Sequence, residues 1–332
     1  MLYCYYTIRR RQFPWGEAPN RPCCRRFRRQ KELYLRPAAG RSAGREPRGC
    51  PQGGTALSAQ GYALDSAPRR GYRLAGGDPF CAEAVGPYPA PIHIYDTLQS
   101  SNLTAKQLAL GGAPHGTLVL TAHQKAGRGR LGRRFESCRE GGLPLPHPAA
   151  RPLCRRCQSV TISAAVAVAR AVKALCGLEL GIKWVNDLYY QGRKVCGILT
   201  EAGTDMECGQ LEWLVVGIGL NLTTSPADWP EELARTAGSL YPGGPAPVSR
   251  AVLAGAIARE LLSLCPAFDC LDEYRARCFV PGHWVTVCTG ADTYAAKALS
   301  IDDAGRLVVE REGGRQVALQ HGEVSIRPTR TG

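Results

Sequence analysis

Residues 159–200 read SVTISAAVAVARAVKALCGLELGIKWVNDLYYQGRKVCGILT, and this stretch decides the fold. Apolar side chains recur at i, i+3 and i+4 over 159–175, which predicts an amphipathic helix that ends at Gly177. A strand begins at Gly181 and runs into the polar KWVNDL segment, and residues 194–200 form the next strand. A helix followed by strands in this way predicts an α/β domain.

Similar patterns extend in both directions from this stretch. The further elements predicted are strands 92–95, 116–122 and 211–217 and helices 103–110 and 248–264. Asn102 is placed to cap the first of these helices. After Pro281, short alternating strands separated by glycine turns predict a small all-β barrel, and residues 61–74 predict a β-hairpin.

The length and composition limit the class of protein. A chain of 332 residues is long enough for roughly two domains. Its 44% hydrophobic and 21% charged residues exclude a collagen-like, coiled-coil or fully disordered chain. We find no run of 18 apolar residues and no signal-peptide pattern, which predicts a cytoplasmic protein. Its fifteen cysteines are then expected to be free thiols or metal ligands.

The net charge of +14 indicates a nucleic-acid partner when taken at face value. However, residues 1–54 carry +10 and residues 138–158 carry +3, so the rest of the chain carries only +1. Both segments lack a hydrophobic period and are broken by Pro and Gly. The charge is therefore weak support for DNA binding.

A glycine-rich loop, GRGRLG at 127–132, follows the strand predicted at 116–122. It matches G-x-G-x-x-G, but no helix pattern follows and no acidic residue lies between Gly141 and Leu175, so a dinucleotide site is not supported. The loop's arginines could instead give bidentate hydrogen bonds to a polyanion. From the loop alone, a solvated basic loop is an equally good interpretation.

Two strand ends carry polar residues. Lys183, Asn186 and Asp187 follow the strand that begins at Gly181, at a position where ligand sites collect in α/β sheets. A Lys there supplies a point charge for phosphate, and an Asp can orient that Lys or hold Mg²⁺ through water. The alternative is ordinary turn chemistry. The second strand end, GIGLN at 217–221, is by itself more typical of packing than of function.

Together these pieces resemble the biotin protein ligases, in order from about Ile92 to Arg327. The matching motifs are SSN at 100–102, QKAGRGR at 124–130, KWVNDL at 183–188, GIL at 197–199 with Glu201, GIGLN at 217–221 and GEVSIR at 322–327. GRGR and KWVNDL at this separation are highly specific, and the order excludes a dehydrogenase. One departure is Gln99, which replaces the Asp usual before the first Ser.

The resemblance implies an ATP-dependent biotin–[biotin carboxyl carrier protein] ligase that uses ATP and Mg²⁺. Such a ligase forms biotinyl-5′-AMP and then transfers biotin to a lysine of the carrier domain. The resemblance places at biotin Ser100, Ser101, Asn102, Gln124, Arg128, Gly129, Arg130, Lys183 and Gly197. It places at ATP Arg128, Arg130, Lys183, Asn186, Asp187 and Asn221, among which Lys183, Arg128, Arg130 and Asp187 would be catalytic. It implies no resident metal site.

The resemblance also implies a domain organisation. The parts are an atypical basic segment at 1–54, a wing-like hairpin at 55–76, a linker at 77–90, an α/β (α+β) catalytic domain with a mixed central sheet at 91–275, and a C-terminal SH3-like β-barrel at 278–330. The first two would be the remnant of an N-terminal winged helix-turn-helix. The implied partner is a biotin carboxyl carrier protein domain of a biotin-dependent carboxylase. A homodimer, a biotin-responsive DNA-binding repressor and a lipoate-type ligase stay open as alternatives, and no membrane partner is expected.

Residues 138–158 depart from the family. Where the family has a central strand reading roughly LYLSLLLRP, this chain has LPLPHPAAR at 143–151, and proline cannot donate to a central ladder. Read one base later, codons 143–150 permit YLSLILLR, and the frame returns at Gln158. The same shift over 39–54 permits LAAQLGVSRAAVRKAV, which resembles a helix-turn-helix.

We therefore hypothesise that the sequence carries compensated frameshifts in 1–54 and 138–158. The alternative is a genuine basic arm and a genuine insertion. On the frameshift hypothesis, the chain as written is expected to be poorly soluble or inactive, and DNA binding requires an intact helix-turn-helix.

Overall fold

The structure is a computed structural model. It describes residues 34–35, 58, 61–67, 71–129, 134–135, 157–204, 211–265, 267–290, 292–320 and 322–326. The helix-turn-helix predicted at 39–54, the anomalous residues 138–156 and Arg130 lie outside the described residues.

The described helices and strands are numbered here in chain order. They are β1 (Tyr34–Leu35), β2 (Tyr62–Ala67), β3 (Gly71–Gly77), α1 (Ala82–Val85), β4 (Ile92–Leu98), α2 (Ser101–Leu110), β5 (Leu118–Gln124), β6 (Gly127–Arg128), β7 (Arg134–Phe135), α3 (Cys157–Cys176), β8 (Gly181–Lys183), β9 (Asp187–Tyr190), β10 (Arg193–Thr204), β11 (Leu211–Leu220), α4 (Glu231–Ala234), α5 (Arg250–Leu264), α6 (Leu271–Arg277), β12 (Trp284–Thr289), β13 (Asp292–Ile301), β14 (Leu307–Arg311), β15 (Gln316–Leu319) and β16 (Glu323–Ile326).

The hairpin predicted at 61–74 is confirmed, because β2 and β3 pair antiparallel. β1 pairs with the other edge of β3, where Tyr34 lies opposite Arg73. The interpretation of the β2–β3 hairpin as a DNA-binding wing stays a prediction, since the helices that would accompany the hairpin fall outside the described residues.

The α/β domain contains two ladders. β4 and β5 run parallel, with α2 between them in the chain and Leu98 opposite Gln124. β8 to β11 form an antiparallel sheet in the order β11-β10-β9-β8. The α/β class predicted from residues 159–200 is confirmed. In the described part of the chain, the predicted mixed sheet appears as these two separate ladders.

Helix α3 lies at the centre of the core and confirms the helix predicted at 159–175. Every residue from 160 to 169 is buried, so this part of the helix is covered on all sides and not on one face only, as the predicted amphipathic helix would be. Among the described residues, Gln158–Cys176 is the one helix long and apolar enough to cross a membrane, and 67% of its most apolar window is buried inside the protein. Gly177, with φ of +71°, follows the helix end as predicted.

Two local predictions differ from the structure. Asn102 does not cap helix α2, because the helix begins at Ser101 and the extended residue before it is Ser100. The amide of Asn102 donates to Glu201 instead. The second difference concerns the linker predicted at 77–90, which is packed on the catalytic domain rather than free of it.

This packed segment is held at both ends by helix α5. The Arg250 backbone N–H donates to Asp78 at 2.8 Å, and the guanidinium of Arg250 pairs with the same carboxylate. Val85 in α1 is 1% exposed, and a Cβ at Gly255 in α5 would overlap its carbonyl oxygen. Residues from Asp78 onward are therefore part of the catalytic domain.

The strands after Pro281 form one antiparallel sheet in the order β15-β14-β13-β12-β16, which confirms an all-β C-terminal domain. Apolar residues that alternate along these strands point into the shared core, among them Val285, Val287, Ala296, Ala298 and Val309. The sheet is therefore joined to the α/β domain by packing as well as by the chain.

The strands β5 and β11 each have one edge without a strand partner among the described residues, since β5 pairs only with β4 and β11 only with β10. Both lie on α2, where Val119 and Val215 share one cluster with Ala105.

Candidate active site

A buried polar cluster lies where the parallel strands β4 and β5 end. Ser100 and Ser101 follow β4, and Gln124 is the last residue of β5. All three are at most 4% exposed. The Ser101 backbone N–H donates to Gln124 Oε1 at 2.6 Å, and its hydroxyl donates to the same oxygen. The structure thus brings together three of the residues predicted to bind biotin.

Ser100 differs from its neighbours in this cluster. Its hydroxyl oxygen is buried and has no hydrogen-bond partner among the described residues. A buried hydroxyl without a partner costs about 1–3 kcal/mol, so such atoms are uncommon unless a ligand completes them. The Ser100 hydroxyl is therefore available to a polar ligand group.

Asn102 connects this cluster to the antiparallel sheet. Its side-chain amide donates to the Glu201 carboxylate in β10. Its carbonyl oxygen lies where a side chain on Gly217 of β11 would be, since an added Cβ would come within 2.6 Å of it. Gly217 is therefore required for the close approach of α2 and β11.

A second, charged cluster lies on β8, β9 and β10. Lys183 is the backbone partner of Asp187, and its ammonium nitrogen lies 6.0 Å from the centre of the Tyr189 ring. Burial, with a smaller contribution from the Asp187 charge, raises the pKa of Tyr189 to about 12. Tyr189 is therefore neutral at physiological pH, and the charges of the cluster come from its Lys and Asp side chains.

The ion pair of Asp187 is with Lys194, a residue that the sequence interpretation did not include. Lys194 Nζ lies 2.7 Å from Asp187 Oδ1, and both side chains lie over Gly197, the glycine predicted to contact biotin. The sequence interpretation, that Asp187 orients Lys183 or holds Mg²⁺ through water, stays a prediction. A register shift between Lys194 and Cys196 in β10 sets how Lys194 lies beside β9. Strand alternation alone does not predict this bulge.

Asn186 and Asn221, predicted to lie at ATP, both brace the backbone. Asn186 Nδ2 donates to the Ile198 carbonyl at 2.9 Å, and the Ile198 N–H donates back to the Asn186 carbonyl at 2.8 Å. Asn221 Nδ2 donates to the Gly238 carbonyl at 3.0 Å. The Asn221 carbonyl oxygen is buried with no partner in the described part of the chain. Asn221 therefore has an acceptor left for a ligand, and Asn186 fixes the chain after Lys183.

The glycine-rich loop begins beside Ser100. The Lys125 N–H donates to the Leu98 carbonyl at 2.9 Å, and the Ala126 N–H donates to the Gln99 carbonyl at 2.8 Å. β6 then pairs with β7, so Arg128 lies opposite Arg134. The Arg128 side chain and all of Arg130 lie outside the described residues, and Gly129 immediately follows β6. The anion-binding role of these arginines stays a prediction.

Among the described residues, no three His, Cys, Asp or Glu side chains are grouped so that they could hold a metal ion. Seven of the described cysteines are free thiols, namely Cys81, Cys176, Cys196, Cys265, Cys270, Cys278 and Cys288. Asp187 is the acidic residue of the charged cluster, and its partner there is Lys194.

The chain belongs to the biotin protein ligase family. Residues 95–221 match the biotin/lipoate A/B protein ligase family, and residues 282–327 match the biotin protein ligase C-terminal domain. The chain is 31% identical to the bifunctional ligase/repressor BirA of Bacillus subtilis over 279 residues, covering 78% of this chain and 83% of that protein. It is 32% identical to the biotin–[acetyl-CoA-carboxylase] ligase of Mycobacterium tuberculosis over 238 residues, covering 68% of this chain and 85% of that enzyme.

A solved structure also shares the fold. The biotin protein ligase of Aquifex aeolicus, in complex with biotin and ATP, aligns with a TM-score of 0.57 at 24% identity. The alignment covers 71% of this chain and 98% of that one. The catalytic α/β domain and the C-terminal β-sheet domain are thus those of the family.

Proposed function

We propose that this protein joins biotin to ATP, giving biotinyl-5′-AMP and pyrophosphate, and then transfers biotin to a lysine of a biotin carboxyl carrier domain. The observation that supports this most directly is the Ser100–Ser101–Gln124 cluster, with its unpartnered buried hydroxyl. β10 links that cluster, through Glu201, to the charged cluster at Gly197. A polar ligand head and an anionic ligand tail would therefore each have a complementary site, one at the ends of β4 and β5 and the other on β8–β10.

The polar cluster fits the ureido ring of biotin. That ring carries two N–H donors and one carbonyl acceptor in a compact apolar frame, so it needs several fixed hydrogen-bonding groups. Ser100, Ser101, Asn102 and Gln124 supply hydroxyl and amide groups that are at most 5% exposed. Because these groups are buried, water does not compete for them, and each hydrogen bond to a ligand contributes to specificity.

The charged cluster fits the reaction. The biotin carboxylate oxygen attacks the α-phosphorus of ATP, the bond to the β-phosphate oxygen breaks, and pyrophosphate leaves. Two anions must approach each other, so fixed cations lower the barrier. Lys183 and Lys194 supply two such cations, and we assign Arg128 and Arg130 to the same task on the loop.

The second step uses the carrier protein. The uncharged amine of its lysine attacks the carbonyl carbon of the mixed anhydride, and AMP leaves with the bonding electrons. Mg²⁺, which accompanies ATP in such reactions, would be held mainly by the phosphates and water, with Asp187 as the nearby carboxylate. Asn221 would accept a hydrogen bond from the nucleotide through its buried carbonyl oxygen.

Biotin-dependent exchange of pyrophosphate into ATP tests the first step, and ATP-dependent labelling of a carrier domain tests both. A chain that exchanges with lipoate in place of biotin would contradict the proposal. The match of residues 282–327 to a biotin protein ligase C-terminal domain favours biotin over lipoate. A homodimer is proposed on the resemblance alone, and sedimentation analysis with biotin and ATP tests it.

Replacing Ser100 by Ala is expected to weaken biotin binding by about tenfold and to leave the melting temperature unchanged. The reason is that the hydroxyl has no described protein partner to lose, whereas a ligand loses one hydrogen bond. Ser249→Ala is the matched control, because the Ser249 hydroxyl accepts from the Val252 N–H and caps α5. That change should cost about 1 kcal/mol of stability and leave biotin affinity unaltered. Calorimetric titration and thermal melts of both variants would separate the two roles.

Gly217→Ala is expected to reduce biotin affinity by more than tenfold. The new Cβ would come within 2.6 Å of Asn102 Oδ1, and the Asn102 side chain must then leave its position against Glu201. Gly244→Ala is the control, because no atom lies within 4 Å of a Cβ there. Equal biotin affinity for both glycine variants would show that the Asn102 position does not shape the site.

A second function, biotin-responsive DNA binding, is proposed on the β2–β3 hairpin and on the similarity to a protein named a bifunctional ligase/repressor. A protein–DNA complex that forms only when biotin and ATP are present would support it. Binding that is the same without biotin would reflect only the +10 charge of residues 1–54.

A further inference from the structure

The tight turn that joins β13 to β14 in the C-terminal sheet is seated on the catalytic domain. The Gly305 carbonyl oxygen in this turn accepts two hydrogen bonds from that domain, from Trp184 Nε1 at 3.0 Å and from Gln158 Nε2 at 2.7 Å. Gly305 and Trp184 are both buried. One carbonyl thus joins the C-terminal sheet to helix α3 and to the residue that directly follows Lys183.

The turn is held by its own hydrogen bonds and by helix α6. Asp302 Oδ1 accepts from the N–H groups of Ala304 and Arg306, and Asp302 Oδ2 accepts from the Arg306 guanidinium at 2.7 Å. Burial opposes ionisation of Asp302, but these hydrogen bonds outweigh it and lower its pKa. Arg275 of α6 donates to the Ile301 carbonyl at 3.0 Å and to Asp303 at 2.6 Å. The turn is therefore held by Asp302 within it and by Arg275 of α6 at its start.

Position 305 strongly favours glycine. Its φ is +79°, a conformation that L side chains rarely adopt, and an added Cβ would overlap Ile162 Cδ1 on α3. A side chain at this position would push the turn away from the catalytic domain, and the carbonyl would move with it.

The segment under the turn carries the predicted active-site residues. Each residue of 184–186 is fixed by a separate contact: Trp184 by Gly305, Val185 by the Tyr274 hydroxyl at 3.1 Å, and Asn186 by Ile198. Lys183 precedes this segment and Asp187 follows it. Of these three contacts, the one from Gly305 comes from the C-terminal sheet.

We infer that Gly305 is a positioning residue for the ligase reaction: its carbonyl holds Trp184 and thereby places Lys183 and Asp187 at the phosphates. The inference rests on the proposed function for the reaction itself, but the docking contact stands independently of it. The C-terminal domain then serves the adenylation step directly, and a shift of its turn changes the affinity for ATP.

The test compares two variants that each remove one donor from the same carbonyl. Trp184→Phe keeps an aromatic ring but removes the N–H, and Gln158→Met keeps the length of the side chain but removes its amide. Both weaken the docking of the turn, yet only the first breaks its contact with the active-site segment. Gly305→Ala displaces the turn as a whole.

Hydrogen exchange of residues 183–199 is measured on the full chain. The KM for ATP and the kcat of pyrophosphate exchange are measured on the full chain and on a variant in which codons 143–157 are shifted by one base. We expect Trp184→Phe and Gly305→Ala to exchange faster over 183–199 and to raise the KM for ATP about tenfold, with kcat changed less. Gln158→Met should change neither by more than about twofold.

Three results would overturn the inference: unchanged exchange over 183–199 in Trp184→Phe, equal effects of Trp184→Phe and Gln158→Met, or faster exchange with an unchanged KM. Absence of pyrophosphate exchange in the parent protein and in the frame-shifted variant would instead contradict the proposed function. In that case, the hydrogen-exchange comparison still decides whether Gly305 holds the segment.

Discussion

Shifting codons 143–157 by one base is expected to convert a poorly soluble or inactive protein into an active biotin ligase. The change removes one base at codon 143 and adds one at codon 157, which replaces LPLPHPAA at 143–150 by YLSLILLR. β5 and β11 are buried, with Leu118, Val119 and Val216 at 0% exposure, yet each has one edge with no strand partner in the described residues. A nearly continuous apolar strand such as YLSLILLR can pair with a buried edge of this kind, whereas the prolines of LPLPHPAA cannot donate to it.

The magnitude follows from the backbone groups involved. Leaving two central strand edges unpaired costs more than the ~5–15 kcal/mol by which a domain is stable. Soluble yield, melting temperature and ATP-dependent labelling of a carrier domain are measured for both proteins. The same one-base shift applied to codons 39–54 is the control, because it changes the N-terminal region and leaves the catalytic domain unaltered. Equal labelling by the parent and by the 143–157 variant would refute the frameshift hypothesis for this segment.

Replacing Lys194 by Met is expected to slow adenylate formation by roughly 100- to 1,000-fold. Lys194 is paired with Asp187 over Gly197, the glycine that the family resemblance places at biotin, so in the proposed reaction its ammonium group would lie near the biotin carboxylate. Removal of this cation leaves the charge that develops on the α-phosphate without one of its fixed partners. Single-turnover formation of biotinyl-AMP, followed by acid quench, measures this step.

Lys173→Met is the matched control for this change. Lys173 forms an ion pair with Glu179 at the surface, with both side chains 57% exposed, so its loss should leave stability and activity nearly unchanged. Lys183→Met changes the lysine that was predicted from the sequence. It tests whether Lys183 and Lys194 both stabilise the charge that develops on the α-phosphate. If Lys194→Met forms the adenylate as fast as Lys173→Met does, Lys194 has only a structural role.

The sequence predicts well those elements whose pattern is local. Helix α3 has apolar side chains at the i, i+3 and i+4 positions that predict a helix, and the sequence Pro-Arg-Arg-Gly between β2 and β3 predicts their hairpin. Ser100, Ser101 and Gln124 were predicted to lie together from a family resemblance, and they meet because β4 and β5 are parallel and end at the same edge.

What the sequence does not predict depends on contacts between distant residues. Lys194 reaches Asp187 through a bulge in β10, and no residue pattern marks that irregularity. The sequence predicts Asn102 as a helix cap, but its side-chain amide donates a hydrogen bond to Glu201, which lies 99 residues away in the chain. The contact between Gly305 and Trp184 joins two domains across 121 residues, so neither local propensity nor periodicity contains it.

Because Asp78 and α1 are attached to helix α5, the boundary of the catalytic domain lies before residue 78 and not at residue 91. A protein shortened to begin at residue 91 would expose the Val85 site on α5 and leave Arg250 and Arg259 without their acceptors. A protein that begins at residue 77 would keep the whole interface. The N-terminal region could therefore be replaced by another domain if the junction lies before Asp78. The proline-rich stretch after Asp78 is part of the catalytic domain.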